Sequence, residues 1–307
     1  MKTPVRWWLV LWIVAGLASV RTLADETNQP VENPPDSGTA GQEQQPMATL
    51  PPQQTPVTPG QSAPAPPQET PGLADNLYLG AGVGVERPPG EDSTAFATFG
   101  ANWSIPLTPP DNVAWGLQLG GDIKARDDDP ELNGTFGGFA RNFRTFEDQQ
   151  GAFAALLDYR HTAFHNDLWA LRPIVGTTIN SQDALGLEVV ASLNQDGGQR
   201  IANSFTTFWT RGWNEQIGTE FGAGYEFSHV DEFLMRARAA FGLTRYVDLW
   251  CGGDLNTHGD YAIGTGVSYH FGGTGRHASL HNIGGSGSGL YTPFPTADFP
   301  ELLHRTR

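Results

Sequence analysis

IGTEFGAGYEFS, residues 217 to 228, alternates between two kinds of side chain. The odd positions carry Ile217, Thr219, Phe221, Ala223, Tyr225 and Phe227; the even ones carry Gly218, Glu220, Gly222, Gly224, Glu226 and Ser228. Successive side chains leave a β-strand on opposite sides, so a period of two with one greasy and one wet face marks a strand between unlike media. A soluble sandwich hides its apolar parity inside and a membrane barrel turns it outward, so alternation alone does not orient the faces.

The same period runs through the chain from Asn76 to Phe271. VAWGLQLGGDIK (113–124) sets Val113, Trp115, Leu117, Leu119 and Ile123 against Gln118, Asp122 and Lys124. FLMRARAAFGLT (233–244) sets Phe233, Met235, Phe241 and Leu243 against Arg236 and Arg238, and DYAIGTGVSYHF (260–271) sets Tyr261, Ile263, Val267, Tyr269 and Phe271 against Asp260 and His270. NLYLGAGVGVE (76–86) and TAFATFGANWS (94–104) follow suit. Weaker candidates lie at about 134–143, 151–160, 168–179, 184–193, 200–210 and 246–255, separated by turn material such as RPPGED, TPPDN, RDDDPELNG and NQDGGQ. Together they predict about twelve strands, within a range of roughly ten to fourteen, at the spacing expected of ~10-residue strands joined by short turns.

Two features favour the outward orientation of the apolar face. Aromatic residues fall near strand ends, where a membrane barrel carries its interfacial girdles: Trp103, Trp115, Tyr225, Phe227, Phe233, Tyr261, Tyr269 and Phe271. The wet parity mixes glycine with charges of both signs, as a narrow, hydrated, ion-paired lumen would require: Asp122, Lys124, Asp158, Arg160, Arg172, Glu188, Glu220, Glu226, Arg236, Arg238 and Asp260. The expected fold is all-β, an antiparallel transmembrane β-barrel over residues 76–271. With its export signal, dyad strands and a last strand GVSYHF ending in Phe271, the chain resembles a bacterial outer-membrane β-barrel protein of the porin-like kind. The resemblance is one of class and departs in one respect: a tail follows the aromatic end of the last strand. It implies outer-membrane lipid as the surrounding medium and the barrel-assembly machinery as a partner that would read Phe271 internally.

The flanks differ in texture. Residues 1–24 combine Lys2 and Arg6, an apolar run from Trp7 to about Val20 and a small-residue site ending at Ala24, the pattern of a cleaved secretory signal peptide. Residues 25–75 are a linker rich in Pro, Gln and Thr without one aromatic residue, expected to be disordered and to serve as a spacer or as a tether to cell wall. Residues 272–307 form a Gly/Ser-rich tail that could lie in the periplasm, plug the lumen or be disordered, and composition favours disorder. The formal charge of -15 falls to about -18 once Lys2, Arg6 and Arg21 leave with the signal, an acidic balance that argues against nucleic-acid binding. With Cys251 alone, no intramolecular disulfide can staple the fold.

Motifs for chemistry are weak. His161 and His165 lack a third ligand nearby and fit a loop; DLNTHGD (254–260) starts like a calcium loop but has His258 and Thr265 at ligand positions and fits a tight turn. The run Asp127, Asp128, Asp129 and Glu131 fits a solvated loop. GAGVGV (80–85) has no following helix, and GSGSG (285–289) has glycine where a nucleophile elbow needs serine. No cofactor, metal site or enzyme activity is expected. The expected function is a porin-like passive channel for small solutes. Its alternatives are a non-conducting anchoring barrel and a secreted soluble β-barrel that binds a ligand.

Overall fold

The computed structural model describes residues 76–88, 92–108, 113–126, 130–145, 149–161, 167–193, 203–227, 232–272, 280–283 and 293–295. The expected signal peptide and linker lie outside them. Twelve antiparallel strands run in chain order: β1 Leu77–Arg87, β2 Thr94–Pro106, β3 Ala114–Ala125, β4 Glu131–Arg144, β5 Gln150–His161, β6 Asp167–Thr178, β7 Asp183–Ser192, β8 Asn203–Gly212, β9 Ile217–Phe227, β10 Glu232–Gly242, β11 Val247–Asn256 and β12 Tyr261–His270. Each pairs with its sequence neighbours, and β1 pairs with β12 from Tyr78↔His270 to Arg87↔Tyr261, which closes the sheet into a barrel. Closure leaves no strand edge whose N–H and C=O groups lack partners.

The orientation left open by alternation is settled by burial. Along β9 and β10, Phe221, Phe227, Phe233 and Met235 are exposed, Phe233 by 62%, while Glu220 and Glu226 are 0% and 2% exposed. The pattern repeats on β3, where Trp115, Leu119 and Ile123 point out and Gln118 is sealed inside. The apolar parity therefore faces outward around the whole barrel, the reverse of a soluble β-protein.

The outward aromatics form two belts. Strand β1 begins and β12 ends at one rim, here the terminal end, where Trp103, Trp115, Tyr269 and Phe271 sit and Tyr246 stacks on Tyr269 with ring centroids 6.2 Å apart. At the opposite, loop end, Tyr225 contacts Phe227 and Phe233, each at 5.1 Å; Tyr261 opens β12 there, and its hydroxyl lies 3.0 Å from that of Ser93. Three turns at the terminal end are held by one device. The side chain of Asn180, Asn214 or Thr244 accepts from the two backbone N–H groups that follow the turn, at 2.7–3.1 Å.

Inside, glycine and aromatic residues are matched across strands. Phe96 lies opposite Gly84, Phe139 opposite Gly116, Phe208 opposite Gly186 and Trp250 opposite Gly266. Each ring lies over its glycine so closely that a Cβ there would enter the ring. Two local irregularities mark the sheet. Asn142, with φ of 62°, forms a bulge between Arg141 and Phe143, and the β6–β7 ladder is interrupted between Leu171↔Ala191 and Ile174↔Glu188, its register unchanged, at Pro173, which has no N–H to donate. Gly186→Ala should therefore destabilise the barrel by about 1–3 kcal/mol, read as a lower urea midpoint in micelles. Gly80→Ala, whose Cβ would meet Tyr78 at an ordinary 3.5 Å, should shift stability by less than about 0.5 kcal/mol; equal losses would show that the ring contact is unimportant.

Candidate functional site

Ten of the eleven charged residues expected in the lumen stand on the inner parity of their strands: Asp122 and Lys124 on β3, Asp158 and Arg160 on β5, Arg172 on β6, Glu188 on β7, Glu220 and Glu226 on β9, Arg236 and Arg238 on β10. Asp260 lies in the turn before β12. There its N–H donates to Asn256 Oδ1 at 2.9 Å and its Oδ2 accepts from Asn256 Nδ2 at 2.9 Å, with Gly259 at φ 86° completing the tight turn expected of DLNTHGD.

The charges join into two webs. Near the loop end, Glu86 accepts from Lys124 and forms an ion pair with Arg126; Arg126 also pairs with Glu131 at 2.8 Å, and Glu131 with Arg160 at 2.6 Å. Deeper, Arg172 donates to Asp158 at 2.8 Å and to Glu188 at 3.1 Å, while Thr135 donates to Asp158 at 2.6 Å. Arg172 thus couples β5 to β7 beside the gap that Pro173 opens in the ladder. Arg236 extends this web, reaching Asp254 at 2.9 Å and Glu188 at 3.3 Å. Its bond to Glu188 runs between β10 and β7, which are not neighbours in the sheet, and so crosses the interior.

An ion-pair ladder across the β9–β10 hairpin would set Glu220 and Glu226 opposite Arg236 and Arg238. The register sets Arg238 opposite Glu220, but it sets Arg236 opposite Gly222 and Glu226 opposite Glu232.

The described parts of the tail lie inside the barrel, against the expectation from composition. Leu280, His281, Ile283 and Phe294 are all under 5% exposed. His281 stacks on Phe208 of β8 with centroids 4.2 Å apart; its Nδ1 lies 3.0 Å from Glu220 Oε2 and its Nε2 3.2 Å from Glu188 Oε2, and its backbone N–H donates to Glu220 at 2.8 Å. Phe294 exchanges two backbone bonds with the Gln118 side chain, at 2.8 and 2.9 Å, and lies under the Arg141 guanidinium at 4.2 Å and edge-on to Phe139. Ile283 fits over Gly176, where a Cβ would stand 2.7 Å from its Cδ1. These contacts come from β3, β4, β6, β7, β8 and β9, so His281, Ile283 and Phe294 sit in the terminal half of the interior.

Above it, toward the loop end, lies a cavity of about 330 Å³ whose wall includes Pro295 of the tail. Of the expected lumen residues, Asp122, Lys124, Arg160, Glu188, Glu226, Arg236, Arg238 and Asp260 line it; Asp158, Arg172 and Glu220 are sealed behind the webs. Tyr78, Phe96 and Trp250 add aromatic surface to the wall. Among the described residues no group of three His, Cys, Asp or Glu side chains is disposed to hold a metal ion. His161 ends β5 and contacts Asp167 at 2.8 Å; His165, Asp127, Asp128, Asp129 and the GSGSG stretch lie outside the described residues. GAGVGV lies within β1, and Cys251 faces outward.

No protein-family model matches the chain, and no curated protein sequence does. Solved structures do. The KdgM porin is similar at a TM-score of 0.50 and 7% identity, over 63% of this chain and 99% of that one. The NanC porin gives 0.44 at 8% identity, over 62% and 98%. Outer membrane phospholipase A from Escherichia coli gives 0.44 at 8%, over 63% and 92%. At such identities the likeness to the KdgM porin is one of fold, the closed antiparallel barrel.

Both ring nitrogens of His281 face carboxylate oxygens, and only the imidazolium can donate to both. Burial by itself would lower its pKa, but Glu220 and Glu188 raise it above the ordinary 6.5. Arg172 and Arg236 on Glu188 and Arg238 opposite Glu220 complete the charges around it. A raised folded pKa means that the tail's hold is complete below about pH 6.5 and is lost as pH rises through the raised value. Limited proteolysis of the tail should therefore accelerate at alkaline pH, and His281→Gln should flatten that profile; an unchanged profile in the variant would contradict the pairing. Arg172→Ala leaves Asp158 and Glu188 without their shared cation and should cost about 3–5 kcal/mol, measured by urea unfolding in micelles.

Proposed function

We propose that this chain is a porin-like outer-membrane barrel that admits small solutes to its lumen from the loop end and is stoppered at the terminal end by its own tail. One observation carries the proposal. A continuous outward apolar surface bounded by two aromatic belts encloses a charged interior, and water offers no favourable contact to such a surface over the whole barrel. Closure of the sheet supports it, because lipid cannot satisfy free backbone groups. So does the fold shared with the KdgM porin. Short turns such as 179–182, 213–216 and 243–246 support a periplasmic terminal end, since outer-membrane barrels carry their short turns there. The protein would be exported by residues 1–24, cleaved near Ala24, and inserted by the barrel-assembly machinery with Phe271 read internally.

Of the expected lumen residues, the eight that line the cavity would act as selectivity groups rather than as an enzyme's machinery. Passage through the barrel requires the tail to withdraw, because Leu280, His281, Ile283 and Phe294 fill the terminal half. A non-conducting anchoring barrel, tethered to cell wall through residues 25–75, is favoured by a specific observation of its own: the Arg236 to Glu188 bond spans the interior.

Planar-bilayer conductance separates the two. The native chain should show small or infrequent openings, and the full-length double variant His281→Ala, Phe294→Ala should open several-fold more often. A variant that folds, as shown by a band shift between boiled and unboiled gel samples, yet stays closed would support the anchoring barrel. A native protein that shows no shift and stays soluble without detergent would refute the membrane barrel altogether.

A further inference from the structure

Glu226 is 2% exposed, on the inner face of β9 one residue from the loop-end rim, in the wall of the cavity. Directly across the hairpin stands Glu232, also 2% exposed. Glu232 is provided for: His258 Nδ1 lies 2.8 Å from its carboxylate, and Asn256 Nδ2 donates to it. Asn256 also serves Asp260, at 2.9 Å. Glu226 is not provided for. Among the described residues no donor and no cation reaches its carboxylate, and its Oε1 is sealed from solvent without a partner.

Three of the cations lining the cavity, which Arg87 and Arg238 line as well, are committed elsewhere. Lys124 pairs with Glu86, Arg160 with Glu131, and Arg236 with Glu188 and Asp254. A carboxylate buried without a partner and facing two more carboxylates is strongly unfavourable, and a cation arriving from the cavity would relieve it. On the inner parity of β10 the wall also supplies Leu234, apolar surface suited to the carbon body of an organic molecule. A bare metal ion suits the place less well, since the donors here form no group able to hold one.

We infer that Glu226 anchors the ammonium or guanidinium group of a small organic solute entering the lumen from the loop end. The inference rests on the proposed solute-admitting barrel and names the charge class of its solute. A charge-assisted hydrogen bond out of bulk water is enough to set a tenfold or greater preference over a neutral acceptor in the same position.

The test uses the full mature protein folded in micelles, with methylammonium as probe, acetate as the anionic control and saturation-transfer NMR as readout. Methylammonium should bind saturably, acetate should not, and Glu226→Gln should weaken methylammonium by about tenfold or more while keeping the native gel shift. Equal binding to native and variant protein, or equal binding of acetate, overturns the inference. So does displacement of methylammonium by calcium chloride at concentrations well below its own, which would make the place a metal site. Should the glutamine variant not fold, the comparison of methylammonium with acetate on native protein decides by itself. A lost gel shift in the native protein counts against the barrel, whereas a retained shift without methylammonium binding counts against Glu226 alone.

Discussion

The pairing of β1 with β12 is the constraint on which everything else depends. Once Tyr78 to Arg87 are hydrogen-bonded to His270 to Tyr261, every strand has two partners and the backbone's polar demand is met within the sheet. Side chains are then free to divide by face alone. Phe221 and Phe233 can stand outward in an apolar medium and Glu220 can be sealed inward, because neither face has to rescue a broken ladder. An open sheet of the same sequence would bury its aromatics and surface its glutamates.

What that closure encloses is too polar to pack as an ordinary core and too narrow to stay empty. Three solutions share the space. Inner aromatics lie over opposing glycines, as Phe208 does over Gly186; charges gather into webs around Glu86 and Glu188; and the tail brings its own apolar groups, with His281 joining the two modes by stacking on Phe208 while bridging Glu188 and Glu220. Glu188 is the meeting point of the deeper web, in contact with Arg172, Arg236 and His281 from three directions. The cavity lies toward the loop end, with Pro295 of the tail in its wall.

The strands were legible because a half-exposed strand writes its period directly into the sequence. VAWGLQLGGDIK could be divided into Trp115 and Leu119 on one side and Gln118 and Asp122 on the other without any structure. The aromatic ends were legible for the same reason, since position along a strand maps onto depth. Pairings across the interior were not, because no local pattern relates Arg236 to Glu188, or His281 to residues more than sixty positions away. Glycine concealed a further layer: on the inner face it signalled room, but only the cross-strand register shows that the room at Gly186 is filled by Phe208. The tail misled for a related reason. Its abundance of Gly and Ser describes the spacing between its anchors, whereas three short apolar points, Leu280, Ile283 and Phe294, suffice to seat it in a surface that other strands supply.

That seat has a property of timing. It is assembled from β3, β4 and β6 through β9, elements spread over most of the barrel's length in sequence, and none of them offers a binding surface until the sheet has curved and closed. The tail follows β12, the strand whose pairing completes the cylinder, so it is made after every strand and finds its place only once they have closed. Occupancy of the lumen by Phe294 thus records that the cylinder around it is finished, and a barrel stalled with β1 and β12 apart would leave its tail outside.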